Sequence, residues 1–261
     1  MNIGLAAIQC RIGSKETFFS IKNLISKGME RNIEIFLLPE YFSYFQNCDF
    51  SKVTEKTIDF LKEESLDRNC VIAGNVILKG EEGYSNSLHI FDEGDLVGIQ
   101  EKIHPTRSER ELGIVPGKEL KVFTIRKTKV SALICADILY PEICRVSALK
   151  GAEVILNPVI SIVSSELPGR EMRHCLYFAR AFDSSAAIIK AGGPGKTFLG
   201  SETVGRSLIA TPDGIIASFR DESSEELVFS EVDVKKLREY RKANYALHDR
   251  NIEAYRDLIV L

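Results

Sequence analysis

Three residues able to do chemistry close apolar runs: Glu40 ends "IFLLPE", Lys102 follows "LVGIQE", and Cys135 ends "VSALIC". A thiol at a strand end is held by a rigid sheet yet opens to a cleft, and the backbone N–H of Ala136 can face an oxyanion there. A free thiol has a pKa of about 8.5, so Cys135 needs a base or a cation beside it before it attacks a carbonyl carbon. Cysteine in a buried strand is more often a small apolar filler. What distinguishes Cys135 is that the apolar run stops at the thiol and the polar turn "ADILYPE" begins there.

A histidine is the competing partner. His89, His104, His174 and His248 are available, and none stands in a local cysteine-protease signature. The other cysteines, Cys10, Cys48, Cys70, Cys144 and Cys175, show no CxxC or Cys/His ligand spacing, so neither zinc nor a disulfide framework is indicated. "GGPGKT" at 192–197 ends like a phosphate loop but lacks the first glycine at the required spacing, and reads as a loop beside the site's mouth.

These residues need elements to hold them. "IGLAAIQC" and "IEIFLLPE" read as buried strands around an amphipathic helix at "KETFFSIKNLISKGMERN", with a second helix at "SKVTEKTIDFLKEESLDRN". Strands at "CVIAGNVIL", "SNSLHIFD" and "LVGIQEKI" are separated by the turns "KGEEGYSN" and "DEGD". "LKVFTI" and "KVSALIC" continue the sheet. A helix then starts at Pro141 and stops at Gly151, and "AEVILNPV" is the next strand. "REMRHCLYFARAFDSS" follows as a helix, before strands at "AAIIKAGG", "RSLIATPDG" and "ELVFSEVD". The hairpin signals argue for mixed pairing and against a (β/α)8 barrel, which leaves two sheets packed face to face under helices.

The chain of 261 residues is long enough for a substantial core, and 44% apolar with 27% charged residues is globular composition. A formal charge of −3 gives no basic excess for nucleic acid or anionic membrane, so small molecules or copies of the chain are the expected partners. No run approaches the roughly 18 apolar residues of a membrane span, and the start lacks a secretory pattern, so a cytoplasmic protein is expected. No linker or repeat interrupts the sequence, and 1–261 reads as one domain.

Taken together, "LLPEYF", "QEKIHP" and "ICADILYPEICRVSALKGAEVILNPV" resemble the glutamate, lysine and cysteine motifs of the nitrilase, or carbon-nitrogen hydrolase, superfamily, in that order. The likeness extends over nearly the whole chain, through "GIVPGKELKVFTI", "RAFDSSAAIIKA" and "GRSLIATPDGIIASF". It departs where "NPVISIVSSELPG" lacks a tryptophan and where Asp183 and Ser184 replace a Glu-Asn pair, both around the pocket.

The resemblance implies an α/β four-layer α-β-β-α sandwich and a thiol hydrolase of non-peptide carbon–nitrogen bonds. In that reading Glu40 is base and acid, Lys102 and the Ala136 N–H meet the oxyanion, and Cys135 is the nucleophile, with no metal or organic cofactor. A small-molecule amide is the expected substrate. N-carbamoyl compounds and nitriles are the alternatives on the same triad, and a catalytically silent binding subunit is the alternative of another class. A second glutamate is implied within "RSERELGIVPG"; we read it as Glu111, with Glu109 the alternative. Glu142 and Arg145 read as structural support, and Asp137 as a residue ordering the turn after the nucleophile. Loops at 107–115, 160–170 and 192–203 are expected to shape the pocket. Residues 234–261 are expected to form an extension at a homodimer interface.

Overall fold

The computed structural model describes residues 1–163 and 172–260, with side chains through Leu258. The first half of the chain supplies β1 (Asn2–Gln9), α1 (Thr17–Met29), β2 (Ile35–Leu37), α2 (Phe50–Asp67), β3 (Val71–Lys79), β4 (Tyr84–Asp92), β5 (Asp95–Glu101) and the short helix α3 (Arg107–Glu111). The second half supplies β6 (Val122–Ile125), β7 (Thr128–Ala132), α4 (Pro141–Leu149), β8 (Val154–Pro158), β9 (Ser161–Ile162), α5 (Arg173–Ser184) and β10 (Ala187–Ala191). It continues with β11 (Gly195–Lys196), β12 (Glu202–Val204), β13 (Leu208–Thr211), β14 (Gly214–Ser218), β15 (Glu226–Asp233) and α6 (Val234–Ala243).

Two six-stranded mixed sheets result, in the orders β15-β1-β2-β3-β4-β5 and β14-β13-β10-β8-β7-β6. Each has a parallel trio at its centre, β1-β2-β3 and β7-β8-β10, flanked by antiparallel strands. The trios read as continuous apolar runs because both of their faces are covered. Leu5, Leu37, Ala73, Ala132, Leu156 and Ile189 meet between the sheets. Ile8, Phe36 and Ile72 face α1 and α2 on one outer side, while Ile155 and Ile188 face α4 and α5 on the other. This is the expected α-β-β-α sandwich. The β4–β5 turn places Glu93 and Gly94 both at positive φ, the twist a two-residue hairpin needs.

Three features of the structure differ from the sequence reading or add to it. The ladder of β7 ends at Ala132, although Leu133 still donates to the Leu156 carbonyl, so Cys135 lies three residues beyond the strand rather than at its last position. A small third sheet, β11-β12-β9, has strands of only two or three residues, too short to show a hydrophobic period. And α6, which opens the expected extension at 234–261, packs onto the body: Val234 and Leu237 enter the core between the sheets. Arg238 pairs with Glu153, and Arg241 donates to the carbonyls of Ala148, Ala152 and Ser184. The first residues of the expected helix "REMRHCLYFARAFDSS" lie outside the described residues, as does the 164–170 part of one expected pocket loop.

His89 on β4 is buried, and among the described residues neither ring nitrogen finds a hydrogen-bond partner. Burial lowers its pKa from 6.5 to about 4. Between those values the unfolded chain takes up a proton that the folded chain refuses, so stability falls as pH drops below 6.5. The loss amounts to about 3 kcal/mol once the window is crossed, at roughly 1.4 kcal/mol per unit. Urea unfolding of His89→Leu at neutral and mildly acidic pH is expected to lose this component; an unchanged pH dependence would remove His89 as its source.

Candidate active site

The site forms where the two sheets meet at one end. β2 delivers Glu40 through Leu38 and Pro39, and the chain then turns sharply, with Tyr41 at φ 52. That left-handed backbone is uncommon for an aromatic residue, and the Asn75 side chain holds it by accepting from the Tyr41 amide at 3.1 Å. Lys102 follows β5 and stays tied to the first sheet, its N–H donating to the Asn86 carbonyl at 2.8 Å. Cys135 comes from the second sheet and also adopts a left-handed backbone, φ 48, at the head of a 3-10 turn running to Leu139. Ala136 is half-buried in that turn.

Asp137 joins the two contributions. Fully buried, its carboxylate accepts from the Ile134 N–H at 3.0 Å and, across the junction, from the N–H groups of Ile103 and His104 at 3.3 and 2.7 Å. His104 Nδ1 lies 3.0 Å from the same carboxylate, and its ring stacks on Tyr140. Asp137 thus orders the turn, as expected, and also fastens the loop after Lys102 to it. Arg145 ties α4 to the Asp183 and Ala246 carbonyls, a structural role, although not through Glu142.

Lys102 is 1% exposed, and its Nζ lies 2.8 Å from Glu40 Oε1 and 2.7 Å from both oxygens of Glu109. These contacts employ the three donors of an ammonium. The Asn86 amide bridges the carboxylates, donating to Glu40 and to Glu109 at 2.8 Å each, and the Tyr41 hydroxyl donates to Glu109 at 2.5 Å. The Ile160 N–H donates to the other oxygen of Glu40 at 3.3 Å, while the Ile160 carbonyl accepts from the Cys135 thiol at 3.8 Å. Glu40, Lys102, Glu109 and Cys135 all line one cleft of about 190 Å³, walled by Tyr41, Thr106, Ile162, Phe198 and Leu199. Each of the three expected loops contributes to the lining, through Ser108 and Glu109, Ile160 and Ile162, and Thr197 to Leu199 with Ser201, whereas Tyr41 and Thr106 lie outside them.

The glutamate that the structure brings to Lys102 is Glu109, where the sequence reading favoured Glu111. Glu111 is 67% exposed and pairs with Arg107 at 3.3 Å. The reason is the cap of α3: the Thr106 hydroxyl accepts from the Glu109 N–H, and Glu109 reaches back to accept from the Thr106 N–H at 2.7 Å. The spacing Thr106-x-x-Glu109 is a capping box and could have singled out Glu109 as the residue folded inward. Asn75 and Asn86 carry no comparable signal; they lie within strands and reveal themselves only through the partners across the sheet.

A family model described as carbon-nitrogen hydrolase matches residues 4–242. The chain belongs to the carbon-nitrogen hydrolase family. A nitrilase from Pyrococcus abyssi is 27% identical over 252 residues, covering 92% of this chain and 93% of that protein. A carbon-nitrogen hydrolase from Helicobacter pylori G27 has the same fold, with a TM-score of 0.86 at 23% identity and 98% of each chain covered. So does an amidase from Nesterenkonia sp. AN1, seen with the acetamide moiety of fluoroacetamide added covalently at its active-site cysteine, with a TM-score of 0.80 at 20% identity and 98% of this chain and 96% of that one covered.

Within this carbon-nitrogen hydrolase the two carboxyls divide. Burial raises the pKa of Glu40, outweighing the pull of Lys102 in the other direction, and Glu109 adds to the rise. Burial acts on Glu109 too, but Lys102, Tyr41 and Thr106 together hold it below the ordinary value. Burial disfavours the charged Lys102, yet Glu40, Cys135 and Glu109 keep its ammonium above the ordinary value. Burial first and Glu40 second push the Cys135 thiol up, with Lys102 pulling the other way. Among the described residues no cluster of three or more His, Cys, Asp and Glu side chains is placed to hold a metal ion.

The two glutamates of α3 should separate on substitution. Glu109→Ala strips the buried ammonium of its bidentate partner and is expected to cost about 3–5 kcal/mol, whereas Glu111→Ala breaks an exposed pair and should stay within about 1 kcal/mol. Chemical denaturation of both variants checks this, and equal effects would sink the distinction. Asp137→Ala leaves three backbone N–H groups without their acceptor and is expected to destabilise by about 2–4 kcal/mol while changing the alkylation rate of Cys135. An unaltered rate would mean that Asp137 does not hold the nucleophile's turn.

Proposed function

We propose that the protein hydrolyses a small-molecule amide to the acid and ammonia through a thioester on Cys135. The observation that carries this reading is the burial of Lys102 between Glu40 and Glu109 at the floor of the cleft that Cys135 lines. Cys135 Sγ attacks the amide carbon as its proton passes to Glu40, and Lys102 with the Ala136 N–H meets the oxyanion. Glu40 then gives that proton to the nitrogen, the C–N bond breaks, and ammonia leaves a thioester. Water attacks the thioester with its proton going to Glu40; the C–S bond breaks, and the proton returns to sulfur. Glu109 stays ionised throughout as the counter-charge that holds Lys102 in place. The raised pKa of Glu40 suits a group that must carry the proton in one half-reaction and release it in the other.

Ammonia release should be measured on a panel of small amides, dicarboxylate monoamides, N-carbamoyl amino acids and nitriles, with wild type beside Cys135→Ala. Release from amides that vanishes in the variant is the expected outcome; carbon dioxide released with ammonia would instead indicate N-carbamoyl hydrolysis, and activity surviving in Cys135→Ala would overturn the reading. Glu40→Gln removes the proton acceptor and should lower kcat/KM by about 10²–10⁴-fold. Because Glu40 must be ionised to take the thiol proton, kcat/KM of wild type should fall on the acid side through a pKa above 4.5, and a limb at or below that value would count against Glu40 as the base.

We also propose that the chain pairs as a homodimer. Phe178 and Phe182 present neighbouring exposed rings on α5, with centroids 6.2 Å apart, and Tyr245 beyond α6 is 81% exposed; this is the apolar surface a second copy would cover. Sedimentation should give a dimer for wild type and a monomer for Phe182→Glu; a wild-type monomer would end the proposal. The six cysteines are free thiols, which fits the cytoplasmic setting this reading assumes.

A further inference from the structure

The second sheet carries another cavity, of about 300 Å³, on the face turned toward α5. Along β10, Ile189 points into the core between the sheets, so Ile188 and Lys190 point the other way. Lys190 is only 8% exposed. Its Nζ donates to the Arg206 carbonyl at 2.9 Å and lies 5.6 Å from the centre of the Tyr177 ring. Among the described residues no carboxylate pairs with it. The described residues lining the cavity include Arg173, Arg206 and Arg220 besides Lys190, and none of them carries a carboxylate. Arg206 pairs with Glu222, outside that lining, at 2.5 Å.

Burial, then Arg173 and Arg206, bring the Lys190 pKa down to about 8, against a smaller upward push from Cys135 and the Glu222 carboxylate. A buried ammonium that no carboxylate meets at hydrogen-bond distance among the described residues is costly unless an anion joins it, and Arg and Lys converging on a cavity are a common means of holding multivalent oxyanions. We propose that this cavity binds a small multivalent oxyanion, phosphate or a short dicarboxylate, with Lys190 as its buried counter-ion and Arg173 and Arg220 at the mouth.

Among the described residues the cavity shares no lining residue with the cleft of Cys135. It lies close behind it all the same: Asn157, the neighbour of Lys190 across the parallel ladder, accepts from the Tyr177 hydroxyl at 2.9 Å and donates to the Cys135 carbonyl at 3.3 Å. The proposal does not depend on the amide reading, since it concerns binding to a different set of residues.

The test is thermal unfolding and titration calorimetry of the intact protein at pH 7, with sodium phosphate and sodium succinate each set against sodium chloride at equal ionic strength. Saturable stabilisation by at least one of the two oxyanions is expected, with Lys190→Met and Arg173→Gln each weakening its binding tenfold or more, and Cys135→Ala leaving it unchanged. A response to phosphate alone would select a tetrahedral anion and a response to succinate alone a dicarboxylate, both within the proposal. No saturable effect of either, or binding that is as tight in Arg173→Gln as in wild type, would overturn it. Arg173 is exposed, so that variant decides the matter even where Lys190→Met fails to fold.

Discussion

An ammonium held out of water between two carboxylates sets the terms for everything around it. Removing one cation and two anions from solvent costs several kcal/mol per ion, and attraction offsets that only where each donor and lone pair is also met. Here each contact of Lys102 falls on a carboxylate oxygen, the Asn86 amide bridges Glu40 and Glu109, and Tyr41, Thr106 and Ile160 supply further donors. One positive charge cannot satisfy two anions equally. Burial raises the affinity of Glu40 for a proton more than Lys102 lowers it, while the bidentate contact with Lys102, together with Tyr41 and Thr106, holds Glu109 below the ordinary value. The two acids differ because burial prevails at one and the cation with its hydrogen-bond donors at the other.

Such a cluster demands elements that do not yield. Glu40, Lys102 and Asn86 all hang from the first sheet, whereas the thiol belongs to the second, so the chemistry depends on how two separately hydrogen-bonded sheets are registered at their ends. The apolar layer between them sets their spacing, and Asp137 fixes the local alignment by taking N–H groups from both sides of the junction. Positive φ at Tyr41 and at Cys135 places strained backbone at the two points where a reactive side chain must leave its strand and turn into the cleft. The surrounding hydrogen bonds, Tyr41 to Asn75 and Asp137 to Ile134, keep that strain from relaxing.

The two faces of the second sheet are used differently. Its inner face is apolar and carries the sandwich, while its outer face accepts a charged lysine at Lys190 within the cover of α5. Tyr177 and Asn157 connect that outer face to the backbone of the nucleophile. The cleft itself is walled chiefly by aromatic, aliphatic and hydroxyl side chains. Its charges among the described residues are those of Glu40, Lys102 and Glu109, already engaged with one another.

Much of this was legible in the chain alone. Apolar runs without alternation announced strands covered on both faces, turn residues announced hairpins, and Glu40, Lys102 and Cys135 stood out because each interrupts an apolar run with a group that can exchange a proton or meet a charge. Periodicity and local turn chemistry act over a few residues, so the sequence determined the elements and the residue types at their ends. Nearness to Lys102 does not separate Glu109 from Glu111, but the local spacing Thr106-x-x-Glu109 does, as a capping box that folds Glu109 inward. Asn75, Asn86 and the reach of Asp137 to His104 were decided by tertiary structure alone. Their partners lie 11 to 46 residues away, and no local pattern records a hydrogen bond made across a sheet or between two of them.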